Sequence, residues 1–582
     1  MSQPWDFLDD YRNGKSEAVD VSGEWPTLPE LFDITVDRYS ERRAFTTFDP
    51  EEITLSYRDV QRRVRAAAAY LQSLGVRAGD RVAVTGKNSP EWAVAYLAVL
   101  YAGGVVVPLD YQLHSPDIAG LMGRAEVKAV FVDTEKYDDL DTRGREAKIA
   151  LSPDRPNYIF SLPQDRQAQR PSTSEHDLAA ILFTSGTTGS AKGVMLTHRN
   201  ITSDALLAQA NLNIRHDDVF YALLPLHHSY TMLAVFIEAI SVGAEVVFAK
   251  RMIIKQILAD LKRGQVTMLL GIPMLFNKLL KGILRGVREK GALVYGIIRL
   301  LMGISGIIKH ATGRNIGKKL FHSVLEKASL DTIRICISGG GPLPPATFRK
   351  FNQLGIDFVQ GYGLTETSPI ITLNPVEHYK EESVGKVLPQ TDMKIYEPDE
   401  RGIGEIVVKG PMVMKGYYND EEATRETFTE DGYFRTGDMG RLDRENYLYL
   451  TGRKKSLIVT AGGKNVYPEE IEDHFQLYDE IEQIMVKGYI SNEELREEDV
   501  EAYVYPDLDY FGDQQGTQSE PTEAAPGQST EPDWEAIERR VNAIVEEVNK
   551  ELMPYQRIKR VTVLREPMEM TTTKKIKRHK VS

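Results

Sequence analysis

The sequence predicts an α/β fold: a large N-terminal domain of layered α/β sheets with a β-rich subdomain, then a small α+β C-terminal domain. Three observations predict it. The 582 residues exceed what one hydrophobic core usually supports, so at least two domains are expected. Short apolar strands alternate with helical patterns over the first two thirds of the chain. The last third combines strands, separated by turns rich in Gly, Asp and Asn, with the long amphipathic helix Trp534–Leu552.

Individual elements follow from apolar patterning and from the residues that interrupt it. Tyr57–Leu74 has the spacing of an amphipathic helix, which Gly75 closes. The uncharged stretch Trp92–Leu109 is almost long enough for a membrane helix, but a glycine pair and a proline break it. We interpret it as a core helix followed by a buried strand. Apolar runs typical of strands are Arg81–Thr85, Val105–Val107 and Ala129–Val132.

Composition narrows the class of protein. A formal net charge of −13 argues against a surface that binds nucleic acid. The single cysteine, Cys336, excludes an internal disulfide framework, and its place in the apolar run Ile333–Ile337 indicates a small core residue. The polar and acidic stretch Met1–Gly14 shows no secretory signal. We therefore expect a cytoplasmic protein.

The strongest local feature is a loop of hydroxyl and glycine residues after the predicted strand Ala180–Phe183. Glycine lets backbone N–H groups approach an anion, hydroxyls add donors, and a lysine adds charge, which together suit a polyphosphate. The spacing is not that of a Walker A motif, and the apolar run Val194–Leu196 indicates a second strand. A plain surface linker, the alternative, needs no lysine between buried strands. The predicted phosphate-binding residues are Thr184, Ser185, Gly186, Thr187, Thr188, Gly189 and Lys192.

Two further glycine-bearing loops follow predicted strands, where ligands of open α/β sheets usually collect. Ser338–Pro342 contains three glycines, which allow a flat ring to lie against the backbone. Gln360–Thr367 follows the predicted strand Ile356–Val359. Its aromatic ring can stack on a base, its threonine can donate to a phosphate, and its carboxylate suits Mg²⁺. The residues concerned are Gly339, Gly340, Gly341, Gln360, Gly361, Tyr362, Gly363, Thr365 and Glu366.

Together these loops resemble those of the adenylate-forming superfamily, and the chain looks most like its long-chain fatty acyl-CoA synthetases. Other segments are similar to further motifs of the family, in the same order along nearly the whole chain. They are Tyr433–Asp438, the ribose motif; Gly452–Ser456, the hinge; Ala461–Glu472, the loop and helix after the hinge; and Thr573–Arg578, the segment with the adenylation lysine.

The resemblance implies roles for single residues. Asp438 would accept hydrogen bonds from both ribose hydroxyls, with Arg453 nearby. Lys575 would be the catalytic adenylation lysine. The residue before that lysine is commonly glycine in the family but is Lys574 here, so either lysine fits. His228 would line the acyl pocket, the alternative being a histidine that only packs.

The resemblance also implies an activity and a division of the chain. A carboxylic acid would react with ATP to give acyl-AMP and pyrophosphate, and the acyl group would pass to coenzyme A. Thr365 would act with Lys575, and Mg²⁺ would lie on Glu366 with Thr184. The domains would be 1–451, with the ATP and acyl sites, and a mobile lid, 452–582, hinged at Lys455. We expect the acidic insertion 507–533 to be disordered.

The identity of the acid depends on one basic segment. Lys278–Lys327 carries eleven Lys or Arg against two acids, interleaved with apolar residues, which favours a peripheral membrane contact. A solvated face over buried helices is the alternative. A similar region is common in synthetases for long- or medium-chain fatty acids, so we expect a fatty acid. An aromatic acid, an acyl carrier protein as acceptor, a silent adenylate-binding scaffold and a homodimer stay open.

Overall fold

The structure is a computed structural model that describes residues 25–142, 147–164, 168–184, 191–460, 464–492, 497–516, 532–571 and 576–581. Within these ranges the predicted layered α/β fold is confirmed. Two mixed sheets make up most of the described N-terminal part, and antiparallel and mixed sheets follow toward the C-terminus.

Helices connect most of the strands, and their starts obey capping rules. Thr27, Ser56 and Thr197 each form a capping box with the third residue of the helix that follows. The predicted helices that begin at Tyr57 and Trp534 are confirmed to within one residue at their ends. The described helices, including one π-helical segment at Met232–Ile237, are Leu28–Tyr39, Tyr57–Ser73, Pro90–Tyr101, Ser115–Arg124, Thr134–Tyr137, His198–Ala208, Ser229–Thr231, Glu238–Val242, Ile254–Gly264, Pro273–Arg288, Ala292–Thr312, Gly317–Leu320, His322–Lys327, Pro345–Leu354, Glu421–Glu426, Pro468–Asp473, Leu508–Gly516 and Trp534–Glu551.

One mixed sheet has a parallel centre, and its edge strands run antiparallel. The strand after Ile356 continues through Gly363, so the prediction that Gln360–Gly363 forms a loop is wrong. The strand stays extended because its first half pairs parallel with Ile335–Ser338 and its second half pairs antiparallel with Ile370–Leu373. In spatial order the strands are Lys386–Val387, Ile370–Leu373, Asp357–Gly363, Ile335–Ser338, Met268–Gly271, Val219–Ala222, Glu245–Phe248, Arg43–Thr47 and Ile53–Ser56.

The second mixed sheet carries the predicted phosphate loop. Leu178–Thr184 lies parallel to Val105–Leu109 on one side and antiparallel to Lys192–Thr197 on the other. The predicted strand after the loop is therefore confirmed, and the loop does not open a helix. In spatial order the strands are Gly416–Tyr417, Lys192–Thr197, Leu178–Thr184, Val105–Leu109, Arg81–Thr85, Val127–Val132 and Ala147–Ala150.

The C-terminal third contains the β-rich subdomain and the α+β part. An antiparallel sheet holds the ribose and hinge motifs and ends at Arg453. A short turn, Lys454–Ser456, leads from it to a small hairpin and then to a mixed sheet against which Trp534–Glu551 packs. The strands are Asp392–Tyr396, Gly404–Lys409, Phe434–Leu442 and Leu448–Arg453; Ile458–Val459 and Asn465–Val466; and Ile481–Asn492, Glu497–Pro506 and Ile558–Val563.

The first part of the acidic insertion is helical. The expectation that 507–533 is disordered is wrong for Leu508–Gly516, which forms a helix. Asp507 Oδ1 accepts hydrogen bonds from the backbone N–H groups of Asp509 and Tyr510, both at 3.1 Å, which satisfies donors of the first turn. Phe511 packs against the core of the C-terminal part, and apolar burial of this kind offsets the entropy cost of ordering the segment.

Two apolar helices have opposite environments. Pro90–Tyr101 is buried along its whole length, and Val105–Leu109 after it is a buried strand, which confirms the interpretation of Trp92–Leu109. Cys336 is buried as predicted, and burial raises the pKa of its thiol. In contrast, Ala292–Thr312 is mostly exposed, and within the described chain it is the helix long and apolar enough to cross a membrane.

Candidate functional site

A large cleft lies where the loops of the two mixed sheets meet the C-terminal part. Its volume is about 2620 Å³. It brings together the described members of the predicted phosphate loop, both glycine-bearing segments, the ribose motif and the hinge. Among the described predicted site residues that line it are Thr184, Lys192, His228, Gly339, Gly340, Gly341, Gln360, Gly361, Tyr362, Gly363, Thr365, Glu366, Asp438 and Arg453.

The phosphate loop begins and ends on directly paired residues. Thr184 and Lys192 are register partners across the antiparallel hairpin, so the strands hold both ends of the loop at one edge of the cleft. Ser185, Gly186, Thr187, Thr188 and Gly189 lie outside the described residues. The Lys192 Nζ lies 4.8 Å from the centre of the Tyr417 ring, a cation–π distance. This contact fixes a positive charge at the cleft.

Tyr417 also contacts the predicted metal ligand. Its hydroxyl donates a hydrogen bond of 3.0 Å to Glu366 Oε1. Burial is the main cause that raises the pKa of Tyr417, and the negative charge of Glu366 raises it further. The described residues contain no group of three or more His, Cys, Asp or Glu side chains that could hold a metal alone. One carboxylate beside hydroxyls and a lysine nevertheless fits Mg²⁺, which commonly takes one or two carboxylates together with water and substrate phosphates.

The ribose motif is a three-residue constellation. Asp438 and Arg453 are register partners on neighbouring antiparallel strands, and Arg453 Nε lies 3.0 Å from Asp438 Oδ1. Tyr362, from the other sheet, donates a hydrogen bond of 2.7 Å to Asp438 Oδ2. Burial and the nearby negative charge raise the pKa of Tyr362, so its hydroxyl stays a donor. Asp438 is thus a buried and oriented carboxylate at the edge of the cleft.

Two glycines have specific geometric reasons in this region. Gly340 has φ +79°, the left-handed conformation that side chains disfavour, at the turn after Ile335–Ser338. A Cβ at Gly363 would lie 1.5 Å from the carbonyl oxygen of Pro369, so the backbone at Gly363 can pass this close to Pro369 only because it has no side chain. The glycine pattern therefore serves backbone packing beside the cleft as well as access to it.

The two adjacent histidines are placed differently. His227 is buried, with Nε2 3.6 Å from Asp110 Oδ1, and burial lowers its pKa to about 3. His228 is half-buried, and the two rings lie 4.2 Å apart. Both histidines line the cleft, and His228 is the more exposed of the two. Next to His228, the Ser229 and Thr365 hydroxyl oxygens lie 3.1 Å apart and connect the two motifs.

The C-terminal segment reaches the same cleft. Lys575 and Lys574 lie outside the described residues, as do Gly462 and Gly463. Thr571 and Ile576, on either side of the undescribed stretch, both line the cleft. Arg578, two residues after Ile576, pairs with Glu472 at 2.5 Å. The roles predicted for Lys575 and for the other site residues stay predictions.

Sequence reasoning missed two residues that shape the site. Tyr417 lies in a two-residue strand with no motif signal, although its pairing with Val194 places it beside the phosphate loop. Asn88 is buried, and its amide donates to the carbonyls of Ala222 and Leu224, both at 2.8 Å. This fixes the segment that leads to the histidines. A lone asparagine far away in sequence offers no pattern from which that role could be found.

Known proteins with similar sequence or structure agree with this geometry. A family model described as AMP-binding enzyme matches residues 32–418. The chain is 28% identical to a long-chain-fatty-acid–CoA ligase of Bacillus subtilis, over 86% of this chain and 89% of the relative. It is 26% identical to a chloroplastic long-chain-fatty-acid–[acyl-carrier-protein] ligase of Arabidopsis thaliana, over 81% of this chain and 76% of the relative.

A solved structure gives the same architecture. The crystal structure of ATP-bound MatB from Rhodopseudomonas palustris superposes with a TM-score of 0.73 at 26% identity, over 95% of this chain and 98% of that chain. The match covers the C-terminal part as well as the region found by the family model, and it confirms the resemblance seen in the motifs. The chain belongs to the AMP-binding enzyme family.

Proposed function

We propose that this protein activates a fatty acid with ATP to give acyl-AMP and pyrophosphate, and then transfers the acyl group to coenzyme A with release of AMP. The observation that carries the proposal is the convergence of Thr184, Lys192, Glu366 and the Asp438–Arg453 pair on one cleft. A buried carboxylate beside an arginine suits a ribose diol, and a lysine at the end of a hydroxyl-rich loop suits a polyphosphate.

The proposed chemistry brings two anions together, a carboxylate and the ATP α-phosphate. The barrier is lowered mainly by positioning and charge neutralisation. Lys575 is the cation proposed between them, and the loop with Thr184 and Lys192 holds the departing pyrophosphate. Mg²⁺, held by Glu366 with Thr184, would supply charge neutralisation for the phosphates. Removing one preorganised donor of this kind typically costs about 10²–10³ in rate.

Coenzyme A transfer requires that the lysine leave the reacting carbonyl. We propose that residues 452–582 rotate as a lid about Lys455 between the half-reactions. The strand Leu448–Arg453 ends and the short turn Lys454–Ser456 begins at that point. A change confined to the backbone torsions at Lys455 would move the lid residues that follow it, including the helix Pro468–Asp473, and would leave Arg453, which precedes it, near Asp438. The division into 1–451 and 452–582 is part of this proposal.

A fatty acid is favoured by the apolar part of the cleft lining. Several apolar residues line it, so an acyl chain would bury its own apolar surface against them at about 0.8 kcal/mol per methylene. The Bacillus subtilis relative is named for long-chain fatty acids, which agrees with this choice. The buried apolar residues of the cleft lining are Ala208, Leu212, Ile214, Leu224, Ala234, Leu373 and Val384.

The test is a screen of saturated acids of increasing length, with benzoate as the aromatic alternative. Release of AMP and pyrophosphate and loss of free thiol are measured together. We expect AMP formation to rise with chain length and to need coenzyme A for turnover. Formation of ADP, or activity only with benzoate, would contradict the proposal.

A second acceptor is favoured by one relative, the acyl-carrier-protein ligase of Arabidopsis thaliana. Parallel assays with free coenzyme A and with a holo acyl carrier protein separate the two. Turnover with the carrier alone would keep the adenylation proposal and replace its second half. We place the protein in the cytoplasm as part of the same proposal, since its substrates ATP and coenzyme A are available there.

A further inference from the structure

The helix Ala292–Thr312 is amphipathic in the opposite sense from a normal surface helix. Its buried residues are Met302, Ser305 and Lys309, two of them polar. The face that points to solvent is apolar, and Leu293, Leu300 and Ile307 on it are 79%, 66% and 71% exposed. Together with Ile297 and Ile304 they recur every three or four residues, so they form one continuous stripe. An exposed apolar stripe of this length marks an interaction surface.

The helix is fixed to the body of the protein along its polar side. Lys309 Nζ donates hydrogen bonds of 2.6 Å to Asn352 Oδ1 and Asp357 Oδ1, and Lys309 itself is buried. Met302 packs in the core beneath the parallel sheet. Although 21 residues suffice to cross a bilayer, a helix docked along one side lies against a surface instead of spanning it.

Charge selects the partner. Residues 278–327 carry eleven Lys or Arg and two acids, a formal charge of +9 in a chain of net −13. A second copy of the chain would bring an equally positive rim against this one, which is repulsive. Anionic lipid headgroups complement the cations while the acyl region accepts the apolar stripe. Exposed cations on or beside the helix include Arg285, Arg288, Lys290, Arg299, Arg314 and Lys319.

The stripe begins next to the cleft. Pro273–Arg288, the preceding helix, lines the cleft from Pro273 to Arg288. Arg288 Nη2 donates a 3.4 Å hydrogen bond to the Tyr295 hydroxyl on the exposed helix, so the two helices are joined at the cleft rim. A lipid surface at Ala292–Thr312 would therefore lie beside the cleft rim at Arg288.

We propose that Ala292–Thr312 lies in the plane of an anionic lipid surface and that the enzyme takes its fatty acid from that surface. The first part stands on the stripe, the docking and the charge. The second part rests on the proposed function, since it needs a fatty acid substrate.

The test is flotation of the full chain with phosphatidylcholine vesicles, with and without phosphatidylglycerol, at low and high salt. We expect binding to the phosphatidylglycerol vesicles that weakens with salt. The double variant Leu300→Glu/Ile307→Glu should lower the bound fraction roughly tenfold or more, because two apolar side chains that would enter the lipid become charged. Arg299→Gln should lower it roughly fivefold. The matched control is Ile490→Glu, at a 60% exposed isoleucine of the C-terminal part, which should bind like wild type.

The outcomes separate the possibilities. Equal flotation of wild type and the double variant overturns the proposal. So does a lack of flotation with phosphatidylglycerol vesicles by wild-type protein whose cooperative thermal unfolding shows that it is folded. A difference in oligomeric state between wild type and the double variant, measured without vesicles, also overturns it, in favour of self-association. If the surface binds but no acyl-CoA forms from any acid, the lipid surface stands and the proposed function fails. If acyl-CoA forms equally fast from vesicle-bound and dissolved fatty acid, only the delivery step is lost.

Discussion

Two faces of the cleft are built by different means: the nucleotide face, which carries Asp438 and Arg453, and the C-terminal face, formed by the described residues after the turn Lys454–Ser456. On the nucleotide face, Asp438 and Arg453 are adjacent because two antiparallel strands hold them in register, and Tyr362 reaches them from another sheet. On the C-terminal face, Arg578 pairs with Glu472 of the same C-terminal part of the chain. An ion pair of 2.6 Å between Lys281 and Asp479 joins it to the body, near an exposed rim.

The difference teaches how one cleft can perform two reactions. Under the proposed mechanism, the face held by strand register would keep ATP and the adenylate in place throughout. Under the proposed mechanism the C-terminal face would leave and return, and the ion pairs that join it to the body, among them Lys281–Asp479 and Lys454–Glu405, are of a kind typically worth about 0–1 kcal/mol when exposed. Variants on the two faces should therefore fail in different ways.

The largest effect is expected at Lys575, which the proposal assigns to the lid. Lys575→Ala should lower acyl-AMP formation by about 10³ or more, because the cation between two anions is lost. Thioester formation from supplied acyl-AMP should remain within a few-fold of wild type. Acid-dependent pyrophosphate release and consumption of acyl-AMP with coenzyme A measure the two steps. Lys574→Ala is the matched control, and it decides which lysine acts.

Equal loss of both half-reactions in Lys575→Ala would contradict the moving lid. A large loss in Lys574→Ala with normal activity in Lys575→Ala would instead move the assignment by one residue.

On the nucleotide face, Asp438→Asn should impair both half-reactions, since AMP is present in each. We expect kcat/KM for ATP to fall about 10²-fold, because a buried charged acceptor is lost. Tyr362→Phe removes only one hydrogen bond to that carboxylate and should cost roughly tenfold. Asp443→Asn, at a carboxylate on the same hairpin that pairs with Lys380, is the control. A selective loss of adenylation in Asp438→Asn would be evidence against the comparison.

A smaller effect is expected at Glu366, the proposed metal ligand. Tyr417→Phe removes the hydroxyl that orients Glu366, and we expect the Mg²⁺ concentration for half-maximal activity to rise roughly fivefold. Titration with Mg²⁺ at saturating ATP measures it, and Tyr418→Phe at the next residue is the control. An unchanged Mg²⁺ dependence would remove Glu366 from the metal site.

The smallest effect concerns stability against pH. Burial lowers the pKa of His227 to about 3, whereas an unfolded histidine titrates near 6.5. The unfolded state therefore binds the extra proton first, and stability is lost as pH falls below about 6.5. His227→Phe should reduce this slope by at most about 1.4 kcal/mol per pH unit. Denaturant unfolding at several pH values measures it. His198, whose pKa burial lowers to about 4, leaves part of the slope in the variant.

Much of the fold was predictable because its signals are local. Arg81–Thr85 is observed with the predicted bounds, and the helix from Tyr57 ends at its predicted glycine signal. The Asp438 and Arg453 motifs were also visible. The direct pairing of those two residues was not, because strand register depends on contacts between distant segments. The contact of Asn88 with the histidine segment, 134 residues away, lies beyond local patterns for the same reason.

Environment was harder to predict than element type. Pro90–Tyr101 and Ala292–Thr312 are both apolar helices, yet one is buried and the other exposed. The basic stretch around the second helix indicated an amphipathic surface, but not that its polar side would face the protein. That orientation is fixed by Lys309, whose partners Asn352 and Asp357 come from other elements. A helix pattern gives the angle between two faces and leaves open which face is covered.

The most direct test of the acyl-adenylate mechanism follows oxygen from the acid to the nucleotide. The protein is incubated with ATP, Mg²⁺, coenzyme A and a fatty acid labelled with ¹⁸O in its carboxylate, and the AMP is analysed by mass spectrometry. If the carboxylate attacks the α-phosphate, one labelled oxygen stays on the AMP when the thiol displaces it. Unlabelled AMP, or label in the pyrophosphate, would show that no acyl-adenylate forms in this cleft.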